Sequence, residues 1–287
     1  MAFRTVVISS HSKLEYSLNY LVYRTIEQTK KINLDEIHTL IIESTSVSIT
    51  SALMVELINK KIKVIFCDEK RNPSFELAPY FGDSISTRRI EEQIEWPKAT
   101  KELIWQSIIK EKINNQANNL RENIEIYNML IDFKSNVEPG DITNREGHAA
   151  KVYFNNIFGK DFVRGDNNPI NKFLNYGYSI LLSQFNKVIT SKGYITQLGI
   201  HHKNDFNQFN LSCDLLEPFR PIIDDKAKYV TDDNFKDEMI NILNAKLTIN
   251  GEKQFLYNAI NIYCASIFRA LNSNNPNEIT FFTNYEL

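Results

Sequence analysis

The hydrophobic period of this 287-residue chain changes once along its length, and that change constrains the fold more than any other feature. Through residue 80 the apolar residues come in short β-branched or alternating runs, the mark of strands. From Ser86 onward the pattern turns helical, and from Lys98 apolar residues recur three and four apart over long stretches, the mark of amphipathic helices. Strands first and helices second exclude a regular βαβ repeat and point to an α+β chain. At roughly 150 residues per domain the length suits two domains or one large one. The expected division is a β-rich domain over 1–80, a linker over 81–97 and a helical domain over 98–287.

In the first block, 4–9, 13–17, 19–24, 36–43 and 63–67 read as strands, with turns at Ser10-His11-Ser12 and Ser17-Leu18-Asn19. Ile49, Ala52, Leu53, Leu57 and Ile58 share one helical face over 49–60. A single helix leaves few long crossovers, so this small domain is expected to be mainly antiparallel. Asp68, Asn72, Pro73, Pro79, Gly82 and Asp83 mark a connector able to hold a hairpin. The stretches 98–118, 120–133, 173–189 and 253–271 read as helices, and the larger second domain as all-helical. Asn250-Gly251 fits either a hairpin turn or a break between two helices.

Composition narrows the function. Lys and Arg total 33 against 35 Asp and Glu, a net charge of -2. That excludes a polybasic chain holding nucleic acid by bulk charge, but not a local basic groove. No apolar run approaches the ~18 residues of a membrane helix. No signal peptide is expected at the start, where Val6-Val7-Ile8 is followed at once by Ser9. Cys67, Cys213 and Cys264 are odd in number and far apart, which suits neither a disulfide framework nor a four-cysteine zinc site. The expectation is a soluble protein of a reducing, cytoplasmic compartment.

Three segments could carry chemistry. Thr143-Asn144-Arg145-Glu146 has the T-x-x-E spacing of a capping box. Glu146 then either reaches back to the backbone of Thr143 or faces inward as a metal ligand. In Gly199-Ile200-His201-His202 the adjacent histidines point to opposite sides of an extended chain, so one at most is a ligand. In Ser212–Pro221, written 212–221, Asp214 and Glu217 share a face if the segment is helical. Such carboxylates repel unless a cation or solvent relieves them. Pro218 and Pro221 remove the N–H groups that would bond the carbonyls of Asp214 and Glu217, so the helix is broken where the acids sit. Glu146, His202 and the Asp214/Glu217 pair offer oxygen and imidazole donors. That mix suits Mg²⁺ or Mn²⁺ in phosphoryl transfer, and the histidine inclines it to Mn²⁺.

Taken in order, these segments resemble the CRISPR-associated spacer-acquisition integrase, the first Cas protein, in its type II-A-like subtype. Arg145-Glu146 matches the family's Glu-bearing helix, and Asn171-Lys172-Phe173-Leu174-Asn175-Tyr176-Gly177-Tyr178 its N-x-x-L-N-Y-G-Y stretch. Gly199 to His202 is similar to its G-x-x-H. Asp214-Leu215-Leu216-Glu217-Pro218-Phe219-Arg220-Pro221 is similar to its D-L-M-E-x-F-R-P, the most specific of the four. The resemblance covers nearly the whole chain.

It implies Glu146, His202 and Glu217 as catalytic ligands of Mg²⁺ or Mn²⁺, with Asp214 shaping the site. Many members carry Asp where Glu217 stands, a change of geometry more than of chemistry. His201 is outside the G-x-x-H register and is not carried over. The implied activity is insertion of new spacers into the CRISPR array by 3′-hydroxyl attack at the repeat ends, and DNA hydrolysis when water attacks instead. The implied assembly is a homodimer joined through the β-domains. Two such dimers would bridge a dimer of the second Cas protein in a heterohexamer on protospacer and repeat–leader duplex DNA. The effector nuclease and other adaptation proteins are further implied partners.

Arg88, Arg89, Lys151, Arg164 (with Lys160 beside it) and Lys172 are basic clusters that are either DNA contacts or an ordinary solvated surface. Arg220 either holds a phosphate or pairs with Asp214 or Glu217. Asn171, Asn175 and Tyr176 are expected to build the helical core. The rival readings are a DNA-binding scaffold without catalysis and an unrelated metal phosphoesterase.

Overall fold

Alternating burial along the first strands pairs them as the sequence pattern suggests, but not in the expected sense. In the computed structural model, which describes residues 4–79 and 86–287, the chain forms two compact units, Met1–Phe81 and Gly82–Leu287. The connector residues Gly82 and Asp83 lie outside the described residues.

The first unit contains β1 (Arg4–Ile8), β2 (Ser12–Ser17), β3 (Tyr20–Arg24), β4 (Thr29–Asn33), β5 (Ile37–Ile42), β6 (Val47–Ile49), α1 (Ser51–Asn59), β7 (Lys63–Cys67) and β8 (Pro73–Glu76). They make two sheets, ordered β1-β5-β7-β8 and β4-β3-β2-β6. Leu18 and Asn19 both take positive φ in the β2–β3 turn, the sign a two-residue hairpin turn demands. The expectation of a mainly antiparallel domain is corrected here. β1–β5, β5–β7 and β2–β6 pair parallel, and only β2–β3, β3–β4 and β7–β8 pair antiparallel. The β2–β4 meander itself serves as the crossover from β1 to β5, so no second helix is needed. β5 lies between two parallel neighbours and is buried on both faces from Thr39 to Ile42, as parallel strands are. One core draws Ile8, Leu14, Leu21 and Leu40 from both sheets and Leu53 and Leu57 from α1.

The second unit opens with α2 (Ser86–Glu95), inside the stretch expected to be a linker. Its Gln93 is buried, donates to the carbonyls of Ile195 and Leu198 at 2.9 and 2.8 Å, and accepts from the Ile195 N–H at 3.0 Å. These bonds pin the loop that leads into Gly199. Then follow α3 (Lys98–Asn118), α4 (Ile124–Ser135), α5 (Arg145–Ile157), α6 (Pro169–Ser191), α7 (Asn210–Leu216), a 3₁₀ turn (Glu217–Phe219), α8 (Arg220–Ala227) and α9 (Phe235–Asn241). β9 (Lys246–Ile249), β10 (Glu252–Phe255), α10 (Leu256–Ser273) and β11 (Phe282–Glu286) complete the unit.

An all-helical second domain is therefore also corrected. β9 and β10 are a hairpin closed by Asn250-Gly251, at φ 54° and 78°, and β11 returns to pair with β9. The hairpin sits where four short residues per strand give too little periodicity to distinguish strand from helix. α6 is the buried axis: a Cβ on its Gly177 would lie 2.6 Å from Ile223 of α8 and 2.9 Å from Met239 of α9. The glycine of the Asn171–Tyr178 stretch, 171–178, is thus a packing requirement. Tyr176 and Asn171 are buried there, as expected, whereas Asn175 is exposed. No disulfide joins the three cysteines among the described residues. No helix among the described residues is long and apolar enough to cross a membrane.

Candidate active site

The T-x-x-E capping box does not form, and its failure frees Glu146. Asn144, at φ 51°, is the N-cap of α5 and accepts from the Gly147 N–H at 3.3 Å. The Asp141 carboxylate accepts from the N–H groups of Arg145 and Glu146 at 2.8 and 3.0 Å. With the first turn satisfied by Asn144 and Asp141, the Glu146 side chain turns inward to the Lys112 ammonium on α3, 2.5 Å away. The same ammonium lies 2.5 Å from Glu217.

Glu217 sits where α7 gives way to the 3₁₀ turn. Pro218 ends the regular bonding, and the next turn carries Arg220 back to Glu217 at 2.8 Å. Burial pushes the Glu217 carboxyl up, but Arg220 and Lys112 outweigh burial and hold it at about 2. Burial would likewise discharge Lys112, yet Glu217 and Glu146 keep its ammonium above the ordinary lysine value. Arg220 also lies over the Tyr178 ring, 4.5 Å from its centroid. Of the two roles open to Arg220, the structure has it paired with Glu217.

Asp214, three residues before Glu217, is neutralised by a different device. It is fully buried and accepts from three consecutive backbone N–H groups, Ile200 at 2.5 Å, His201 at 2.9 Å and His202 at 3.1 Å. Such a concavity of amides binds anions, and Asp214 fills it. Its Oδ1 also accepts from His202 Nδ1 at 2.5 Å, which leaves Nε2 of His202 as the free ring nitrogen. This bond, with the charges of Asp214, Glu217 and Glu146, raises His202 above the ordinary histidine value against the opposing effect of burial. A Cβ on Gly199 would lie 2.5 Å from the His202 carbonyl oxygen and 2.7 Å from Asp214, so only glycine admits this loop.

Glu146, His202, Asp214 and Glu217 therefore meet in one corner. Sequence reasoning missed Lys112. The signal was present: Lys112 falls four and three residues after Ile108 and Ile109, on the apolar face of α3, where a charge is out of place. Two glutamates and an imidazole nitrogen are donors that fit Mg²⁺ or Mn²⁺. As they stand, no three His, Cys, Asp or Glu side chains among the described residues close on a common point that could hold a metal ion. The Lys112 ammonium is the cation between the carboxylates.

Most residues expected to touch DNA have partners in the protein. Arg88 and Arg89 bond Glu92 at 3.0 and 2.7 Å, and Lys172 bonds Asp232 at 2.7 Å. Arg164 donates to Asn171 and Asn175 at 2.8 and 2.7 Å and so braces the start of α6. Lys151 and Lys160 are exposed.

The family model for "CRISPR associated protein Cas1" matches residues 5–257. The chain belongs to the Cas1 family. It is 32% identical over 226 residues to a CRISPR-associated endonuclease Cas1 of Neisseria meningitidis serogroup C (strain 8013), covering 78% of this chain and 74% of that one. A Cas1 endonuclease of Francisella tularensis subsp. novicida (strain U112) is 24% identical over 266 residues, covering 83% of each chain. Two solved structures share the fold with a TM-score of 0.77 each. A casposase bound to its integration product is 21% identical, with 95% of this chain and 91% of that one covered. A Cas1 protein from Thermotoga maritima is 16% identical, with 99% and 100% covered. The chain also matches 36% of a longer chain in a Cas6-RT-Cas1–Cas2 complex, with TM-score 0.74. What sets the candidate corner of this Cas1-family chain is its pairing of two differently neutralised acids, Asp214 and Glu217.

Proposed function

We propose that this Cas1-family chain is a metal-dependent DNA integrase and endonuclease of CRISPR adaptation, of the type II-A-like subtype. The observation that supports it is that Glu146 and Glu217, from separate segments, share one buried ammonium, with His202 near enough to feel the charge of both. In this reading the two glutamates and His202 Nε2 hold Mg²⁺ or Mn²⁺, which supplies charge neutralisation at the attacked phosphodiester. Asp214 keeps the proton on His202 Nδ1 and so fixes the ring's tautomer and direction. Arg220 orients the Glu217 carboxylate. A 3′-hydroxyl gives up its proton to solvent as its oxygen forms the new P–O bond, the P–O3′ bond of the repeat strand breaks, and the released 3′-oxygen takes up a proton from solvent.

DNA phosphates would meet Lys101 and Lys203. Burial and the charge of Lys203 both push Lys101 below the ordinary lysine value, an arrangement of like charges that a phosphodiester relieves. Lys151 and Lys160 are further candidates. The working assembly is a homodimer joined through the first unit, with the second Cas protein as the bridging partner. The support for that partner is the likeness to the complex that contains Cas1 and Cas2. The scaffold reading has one observation in its favour, the ammonium standing between the glutamates.

Joining of a 3′-hydroxyl duplex into a plasmid carrying the host repeat, with the second Cas protein and Mn²⁺, decides between them. Joining by the wild type, abolished in His202→Ala and Glu217→Ala, is expected. Equal joining by Glu217→Ala would remove the metal assignment. No joining by the wild type with DNA binding intact would favour the scaffold. Light scattering at micromolar concentration should give a dimer mass.

A further inference from the structure

His201 falls outside the family motif, yet its ring packs against that of His202. It stacks face to face on Trp105 of α3, with centroids 4.3 Å apart and planes 2° from parallel. The His202 ring meets both edge-on, at 5.7 Å and 87° from Trp105 and at 5.7 Å and 88° from His201. The three rings form a right-angled corner with His202 as one wall.

We infer that His201, stacked on Trp105, is a positioning residue that locks the His202 ring in the orientation presenting Nε2 to Glu146 and Glu217. This rests on the metal-site reading proposed above. The Asp214 bond to Nδ1 fixes one point of the imidazole but leaves it free to swing about that bond. The two ring contacts remove that freedom. His201 is itself exposed, where a side chain ordinarily samples several rotamers, and the Trp105 face holds it to one.

Trp105 is placed for its ring rather than for its polar edge. It is buried, and its indole N–H has no acceptor among the described residues. The other tryptophan, Trp96, donates its indole N–H to Asn272 at 2.8 Å. Trp105 also lies two helical turns before Lys112 on α3. One stiff helix therefore sets both the His202 ring, through His201, and the two glutamates, through Lys112.

The test uses the full-length protein and two readouts. Imidazole NMR of metal-free protein follows His202 among the five histidines, identified by its loss in His202→Gln. One sharp His202 signal is expected in the wild type, a broadened or split signal in His201→Ala, and a single signal again in His201→Phe, whose ring restores the stack. Titration with Mn²⁺ alone, read by calorimetry, should weaken about tenfold in His201→Ala and return to within about threefold in His201→Phe. The inference is overturned if His201→Ala keeps the wild-type signal and affinity, or if folded His201→Phe behaves as His201→Ala does. Failure of the metal reading has its own signature, Mn²⁺ binding undiminished in His202→Ala. The His202 signal still decides the stack in that case.

Discussion

Each unit buries a lysine, and their surroundings shift the two in opposite directions. Lys63 on β7 meets one carboxylate, Glu76 on β8, and burial keeps it below the ordinary lysine value. Lys112 on α3 meets two, Glu146 and Glu217, and they keep it above. Both are nearly inaccessible, so burial does not distinguish them. What differs is the surrounding charge. The Lys63 pair is complete in itself. The Lys112 corner holds three carboxylates, Glu146, Asp214 and Glu217, against two permanent cations, Lys112 and Arg220. A buried lysine with a single partner is a brace; one shared among an excess of acids is, on the function proposed above, where a metal cation would stand.

The sharpest way to break this comparison is Lys112→Met. Leaving Glu146 without its cation and Glu217 with Arg220 alone should cost about 3 kcal/mol of stability. Millimolar Mn²⁺ should then raise the unfolding midpoint of the variant more than that of the wild type, read by calorimetry. Equal Mn²⁺ responses would mean that the ammonium does not stand where a metal ion would.

Asp224 on α8 comes next. Burial raises its carboxyl to about 7, against the Tyr178 hydroxyl bonded to it and the charges of Arg220 and Lys112. Between about 3.8 and 7 the unfolded chain has released this proton while the folded chain retains it. Stability therefore falls as pH rises through that window and levels off above it. Asp224→Asn should remove the slope, a relative gain on the order of 3 kcal/mol at pH 8 compared with pH 4. Urea midpoints across that range measure it, and an unchanged slope would place the titration elsewhere.

Lys63→Met should cost less, about 1–2 kcal/mol, because Glu76 is partly exposed and can turn to water. Its unfolding midpoint should show no Mn²⁺ response beyond that of the wild type. A loss as large as that of Lys112→Met would erase the distinction between brace and site. The smallest effect expected is that of Lys203→Ser. DNA affinity should weaken uniformly across sequences, with the logarithmic salt slope reduced by about 1. An unchanged slope would exclude Lys203 from phosphate contact.

The sequence alone determined what local patterning controls. The apolar stripes of α3, α6 and α10 predict their helices, and the short β-branched runs predict β1, β5 and β7, because periodicity is a property of neighbouring residues. Glu146, His202, Asp214 and Glu217 stood out singly, through the T-x-x-E spacing, the adjacent histidines and the prolines of 212–221, and only the family resemblance joined them into one set. Parallel pairing around β5 was not, since strand direction depends on which distant strands meet. Nor was β11, whose partner β9 lies far back along the chain. The capping of α5 depended on Asp141, five residues before Glu146, and only the folded turn brings its carboxylate to those N–H groups. Lys112 and Trp105 entered the site through tertiary structure alone. A helix period assigns them to a buried face, but their chemical partners come from segments far away in sequence. The excess of charge that defines the corner exists only when those segments are brought together out of water.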